Sequence, residues 1–101
     1  MRKARRRVML FVGLMKARPG TQEARIARRM EWQEPQSPGL EKVAEYWLQT
    51  LDPAVIALFK ADHIGQIWTA FAGWDEFFEI SVFPAISSDE GLELLKQMPR
   101  P

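Results

Sequence analysis

The chain has 101 residues, 47% hydrophobic and 27% charged, with 14 Lys and Arg against 13 Asp and Glu for a net charge of +1. That length supports one domain, which at this size buries about 60 to 65% of the surface its unfolded chain exposes, so self-association is a natural supplement to stability. The chain has no cysteine, which excludes disulfides, thiolate metal sites, iron–sulfur clusters and a cysteine nucleophile.

Asparagine is absent as well, and together with abundant Arg and Glu this fits a thermophilic source. At the start of the chain, Arg2, Lys3, Arg5, Arg6 and Arg7 form a basic block, and the other 94 residues carry nine basic and 13 acidic side chains. Residues 1–7 read as a disordered, solvated tail. No aromatic residue is interleaved with these charges, so the platform on which single-stranded bases stack is missing, and nucleic acid is not an expected partner. The apolar run Val8 to Met15 is far shorter than the ~20 residues that span a bilayer. Lys16 and Arg18 also stand where signal-peptide cleavage would need small residues. The expectation is a cytoplasmic protein without a membrane partner.

Val8 to Lys16, VMLFVGLMK, is apolar on both alternating faces and is followed by the breaker Pro19-Gly20, which predicts a strand buried on both sides and central in its sheet. Thr21 is placed to cap a helix running to about Glu31 or Trp32, with Ile26, Ala27 and Met30 inward and Arg25, Arg28 and Arg29 mostly outward. A loop follows at Glu34 to Gly39. Leu40 to Leu51, LEKVAEYWLQTL, is ambiguous. At helical spacing Leu40, Val43, Ala44, Trp47, Leu48 and Leu51 make an uninterrupted stripe. As a strand its faces are mixed, yet the four-residue link Thr50 to Pro53 has a length suited to a hairpin into the next element.

Ala54 to Ala61, AVIALFKA, reads as a second strand apolar on both faces. Asp62 is placed to cap a helix in which Ile64, Ile67, Trp68 and Phe71 form one stripe, ended near Gly73. Phe78 to Ala85 is a strand with Phe78, Ile80 and Val82 on one side and Glu79, Ser81 and Phe83 on the other. Ser87 and Glu90 form a capping pair for a last helix whose apolar residues are Leu92, Leu94, Leu95 and Met98.

The segments MLFVGLMKARPG, AEYWLQTLDPAVIALFKAD and WDEFFEISVFPAISSDEGLELL resemble a family of small prokaryotic proteins known as domain-of-unknown-function family 3303, which is placed in the dimeric α/β-barrel superfamily of ferredoxin-like folds. The resemblance spans Met9 to Leu95. It implies that the stretch matching Lys42 to Gln49 is a strand. The fold expected is therefore α+β: a ferredoxin-like βαββαβ sandwich with an added C-terminal helix, a single domain over residues 8–98, forming a dimeric α/β barrel. The doubly apolar strands agree with this. Helices on one sheet face leave the other needing cover, which an identical subunit supplies in that superfamily.

The chemistry-bearing residues are few. His63, the single histidine, is expected exposed at a helix start, and without a second His or a calcium-loop carboxylate pattern no metal site is expected. No glycine-rich phosphate loop occurs, and no cofactor is expected. The polar minority on the apolar strands is Glu45, Trp47, Lys60, Glu79 and Ser81, the candidate ligand-binding residues. Were Glu45 and Glu79 to share a cavity, desolvation would raise both carboxyl pKa values, and Trp47 would form an apolar wall. The expectation is a homodimer that binds a small apolar ligand or a protein partner without catalysis. The alternative, implied by relatives in the superfamily, is a cofactor-independent monooxygenase-like enzyme using a sheet-lined pocket.

Overall fold

A computed structural model describes residues 8–34 and 36–99, so the basic block at residues 1–7, expected as a disordered tail, lies outside the described residues. The element order is β1 (Met9–Ala17), α1 (Gln22–Glu31), β2 (Leu40–Trp47), β3 (Val55–Ala61), α2 (Ile64–Ala70), a short 3-10 turn (Trp74–Glu76), β4 (Phe78–Ala85) and α3 (Ser88–Gln97). The four strands form one antiparallel sheet in the order β2-β3-β1-β4. The strands apolar on both faces, β1 and β3, are the central pair. This α+β arrangement of two interleaved βαβ units is compatible with a ferredoxin-like fold.

The ambiguous stretch resolves as β2, paired along its length with β3 and joined to it through a turn with a cis Asp52-Pro53 bond. Its mixed pattern has a physical cause. The register moves from Lys42 opposite Phe59 to Ala44 opposite Leu58, so Val43 is the extra residue of a β-bulge. A bulge breaks the two-residue alternation. As a result Leu40, Lys42, Glu45 and Trp47 share one sheet face, while Glu41, Ala44 and Tyr46 share the other.

One face of the sheet carries the core. Phe11, Met15, Ala57, Phe59 and Phe78 are buried there with Ile67 and Phe71 from the α2 region and Trp74 and Phe77 from the turn that follows. Gly13 has a specific role on this face. A Cβ at that position would come within 3.1 Å of the Phe71 ring, so the missing side chain lets that ring lie against β1. Phe71 in turn meets Phe59 edge-on at 5.5 Å. Helix α2 is capped by His63 rather than Asp62, and the Gln66 side chain accepts from the Asp62 backbone N–H at 2.9 Å while donating to the Pro38 carbonyl at 2.8 Å. This pins the loop that leads into β2.

Helix α1 corrects the expected orientation. Met30 is 83% exposed and Ile26 is exposed as well, and no residue of α1 is buried. The half-buried residues of the helix are instead Arg25 and Arg29, because aromatic rings receive them: Arg25 lies over Phe78 at 5.9 Å and Arg29 over Trp32 at 4.9 Å. Arg28 stays exposed over Phe77 at 5.2 Å, and Ile26, though exposed, reaches the rim of the cavity beneath the helix. A guanidinium stacked on a ring keeps its charge solvated at the edge while its stem covers apolar surface.

Among the described residues no helix packs on the opposite sheet face. It presents Leu10, Val12 and Leu14 from β1, Ile56 and Leu58 from β3, Ala44 and Tyr46 from β2, and Phe83 from β4. Helix α3 starts where expected, with the Ser87 hydroxyl accepting from the Glu90 N–H at 3.1 Å, but Leu92, Leu94, Leu95 and Met98 are all more than half exposed. The molecule is flat, with principal extents of 50 × 43 × 17 Å.

Candidate ligand-binding site

Because α1 offers arginines where an apolar stripe would have closed the core, a cavity of about 470 Å³ remains between α1, β2 and the sheet. Its floor is apolar: Met15, Ala57, Phe59, Phe71, Trp74 and Phe78. Arg25, Ile26, Arg29 and Trp32 line the α1 side, and Lys42, Glu45 and Trp47 the β2 side. Trp32 is fixed edge-on against Trp74 with ring centroids 5.6 Å apart. That size and an apolar lining with a few convergent polar groups are the usual attributes of a small-molecule site.

The β2 wall is an ion-pair network. Lys42 Nζ stands 2.7 Å from Glu34 Oε1 and 2.9 Å from Glu45 Oε1, and Arg29 Nη2 lies 3.4 Å from Glu45 Oε2. The Trp47 indole N–H also donates to Glu45 Oε2. The bulge at Val43 makes this possible, since residues three apart in a regular strand point to opposite faces. Burial by itself would push the Glu45 carboxyl pKa up, but hydrogen bonds from Lys42 and Trp47 and the charges of Lys42 and Arg29 outweigh it and hold the pKa below its ordinary value. Burial likewise opposes the Lys42 charge, and the bonds to Glu34 and Glu45 override it, raising that pKa.

Of the five residues singled out in the sequence, Glu45 and Trp47 meet at the cavity, while Lys60, Glu79 and Ser81 are not among its lining. Those three project from the opposite, uncovered face. Glu79 is held there by Lys16 at 3.8 Å and Arg18 at 3.7 Å, Ser81 lies across from Leu14, and Lys60 lies between Leu10 and Glu41. Glu45 and Glu79 therefore share no cavity, and the rise expected for Glu45 is a lowering, because cations surround it. His63 is exposed at the start of α2 and does not reach the cavity. Among the described residues no group of three or more His, Asp and Glu side chains could hold a metal ion, and no helix is long and apolar enough to cross a membrane.

Sequence reasoning missed Arg25, Arg29 and Trp32 as wall residues. The available signal was their spacing: Arg25 and Arg29 lie four apart on one face of α1 with Trp32 just past its end, and an arginine pair there can be read as stacking partners rather than solvent-facing charges.

The family model of Domain of unknown function (DUF3303) matches residues 9–99, so the chain belongs to that family. No curated protein and no solved structure matches it.

Proposed function

We propose that this member of the family is a two-fold homodimer of the dimeric α/β-barrel kind, formed by one domain over residues 8–98, and that each subunit binds a small apolar ligand in the cavity beneath α1 without catalysis. The observation that carries the ligand reading is the cavity itself, about 470 Å³ with an aromatic floor. An apolar guest lying on Phe59, Phe71, Trp74 and Phe78 would take further apolar surface out of water.

The dimer reading rests on surface. The chain exposes 8159 Å², against about 5,900 Å² for a compact monomer of its mass. Its radius of gyration is 16.6 Å, where about 13 Å is typical of 100 residues. The uncovered sheet face carries exposed Tyr46 and Phe83, and Leu92, Leu94, Leu95 and Met98 at α3 are exposed as well. A second copy placed face to face would cover Val12, Leu14, Ile56 and Leu58 in both subunits by symmetry, with Lys60, Glu79 and Ser81 at the rim.

Catalysis at the cavity is disfavoured by Glu45. Both of its oxygens are engaged by Lys42, Arg29 and Trp47, and a carboxylate with a lowered pKa is a weak proton acceptor. A native mass spectrum of untagged, gently purified protein tests the reading. A dimer of twice the 11.7 kDa chain mass with extra mass bound supports both parts, a bare dimer removes the ligand part, and a monomer removes the dimer.

A further inference from the structure

We propose that the cavity's ligand is an apolar carboxylic acid, with Arg25 as the residue that receives the carboxylate. The inference rests on the ligand reading above and narrows it to a chemical class. It follows from how the charges at the wall are paired. Lys42 is held by Glu34 and Glu45, and Arg29 by Glu45. Glu34 and Glu45 are in turn occupied by those cations, and Glu41 belongs to a β2 position whose strand neighbour is Lys60 on the uncovered face. Arg25 alone among the cavity's cations has no carboxylate within salt-bridge distance among the described residues.

The one side-chain hydrogen bond Arg25 makes among the described residues is from Nη1 to the Thr21 hydroxyl at 3.0 Å, a neutral acceptor, and its guanidinium lies over the Phe78 ring. It is part-buried beside an apolar floor. A guanidinium has five N–H donors in a planar fork, so most of its donors stay available to an incoming acceptor. A carboxylate matches that fork in a bidentate arrangement, and the low local polarity strengthens the pair. The ligand's apolar body then lies on Phe59, Phe71 and Phe78. An amine would find the carboxylates already occupied, and a neutral isostere would leave the guanidinium without its counter-charge.

The test is calorimetric titration of the full-length protein with 2-naphthoate, its neutral amide 2-naphthamide, and 2-naphthylmethylamine. The expected result is binding of the acid at least tenfold tighter than the amide, with the amine weakest. Arg25→Gln should abolish the preference for the acid, read as the ratio of acid to amide affinity within the same variant, and Arg25→Lys should retain part of that ratio. Circular dichroism establishes that each variant is folded. Equal affinity for acid and amide, a preference for the amine, or an acid preference unchanged in Arg25→Gln would each overturn the inference while leaving the cavity as a ligand site. Failure of all three probes to bind would instead overturn the ligand reading on which it rests.

Discussion

The same four strands present two faces that differ in what completes them. On the covered face, β1 and β3 contribute Phe11, Met15, Ala57 and Phe59 to a core closed by α2 and the aromatic turn after it. On the other face, the alternate residues of the same strands, Val12, Leu14, Ile56 and Leu58, are just as apolar but stay only half-buried, with no helix among the described residues packed on them. At the edges of that face Tyr46 is 58% and Phe83 52% exposed. Equal hydrophobicity with unequal cover is what the proposed dimer explains, by giving the sheet two interfaces. One is satisfied within the chain, and the other is completed by a second copy in the proposed dimer. Even the covered face is incompletely filled, because the arginine side of α1 leaves room for a guest.

The largest effect should come from charging the uncovered face. Leu58→Asp places a carboxylate at the centre of the proposed interface, where an unpaired buried charge costs roughly 3 to 5 kcal/mol. Sedimentation should then show the dimer dissociation constant raised at least several hundredfold, with circular dichroism unchanged. On the covered face, Phe59→Ala should reduce unfolding free energy by about 3 to 4 kcal/mol in urea titration, through lost transfer energy and the cavity left behind. An indistinguishable midpoint would mean that Phe59 is not the keystone its contacts with Phe71 imply. Gly13→Val should cost about 1 to 3 kcal/mol by driving the Phe71 ring off β1, and it should weaken binding in the adjacent cavity more than it weakens the dimer.

The smallest effect concerns the wall network. Glu45→Gln should lower stability by about 1 kcal/mol at neutral pH, the net scale of an ordinary intramolecular hydrogen bond, since the ion pairs lie at a partly solvated wall. The sign with pH follows from the two shifts. Glu45 has a folded pKa below its unfolded value of 4.5, so its contribution is present above that value and is lost as pH falls through the folded pKa. Lys42 has a folded pKa above 10.5, so its contribution is present below that value and is lost as pH rises through the folded pKa. The difference between wild type and Glu45→Gln should therefore hold across the neutral range and vanish in acid. Chemical denaturation at a series of pH values measures it, and a difference that grows in acid would contradict the assigned ion pairs.

How much of this was legible in the sequence varies by element. Strands β1, β3 and β4 and helices α2 and α3 could be read from periodicity because each keeps one regular period from end to end. Strand β2 could not, since the bulge at Val43 interrupts the alternation and leaves an accidental helical stripe from Leu40 to Leu51. The resemblance to a known family, rather than the pattern, assigned it as a strand. Helix α1 is located by its pattern but only partly oriented by it, because pattern reading sends arginines to solvent, whereas Arg25 and Arg29 are half-buried against Phe78 and Trp32 and Ala27 and Met30 are exposed. The candidate site divides along the same line. Glu45 and Trp47 were visible as polar residues on a half-apolar strand, but the bulge that sets Lys42 beside Glu45 was not, nor was the face to which Lys60, Glu79 and Ser81 belong relative to the cavity.

The central claim is that the uncovered sheet face is buried by a second copy. Hydroxyl-radical footprinting of Tyr46 and Phe83, comparing wild type with Leu58→Asp, tests it at the surface concerned. The account predicts strong protection of both residues in the wild type and loss of that protection in the variant, with Trp74 protected in both. Equal, high reactivity of Tyr46 and Phe83 in the two proteins would show that the face is open to solvent in the native molecule and would contradict the account.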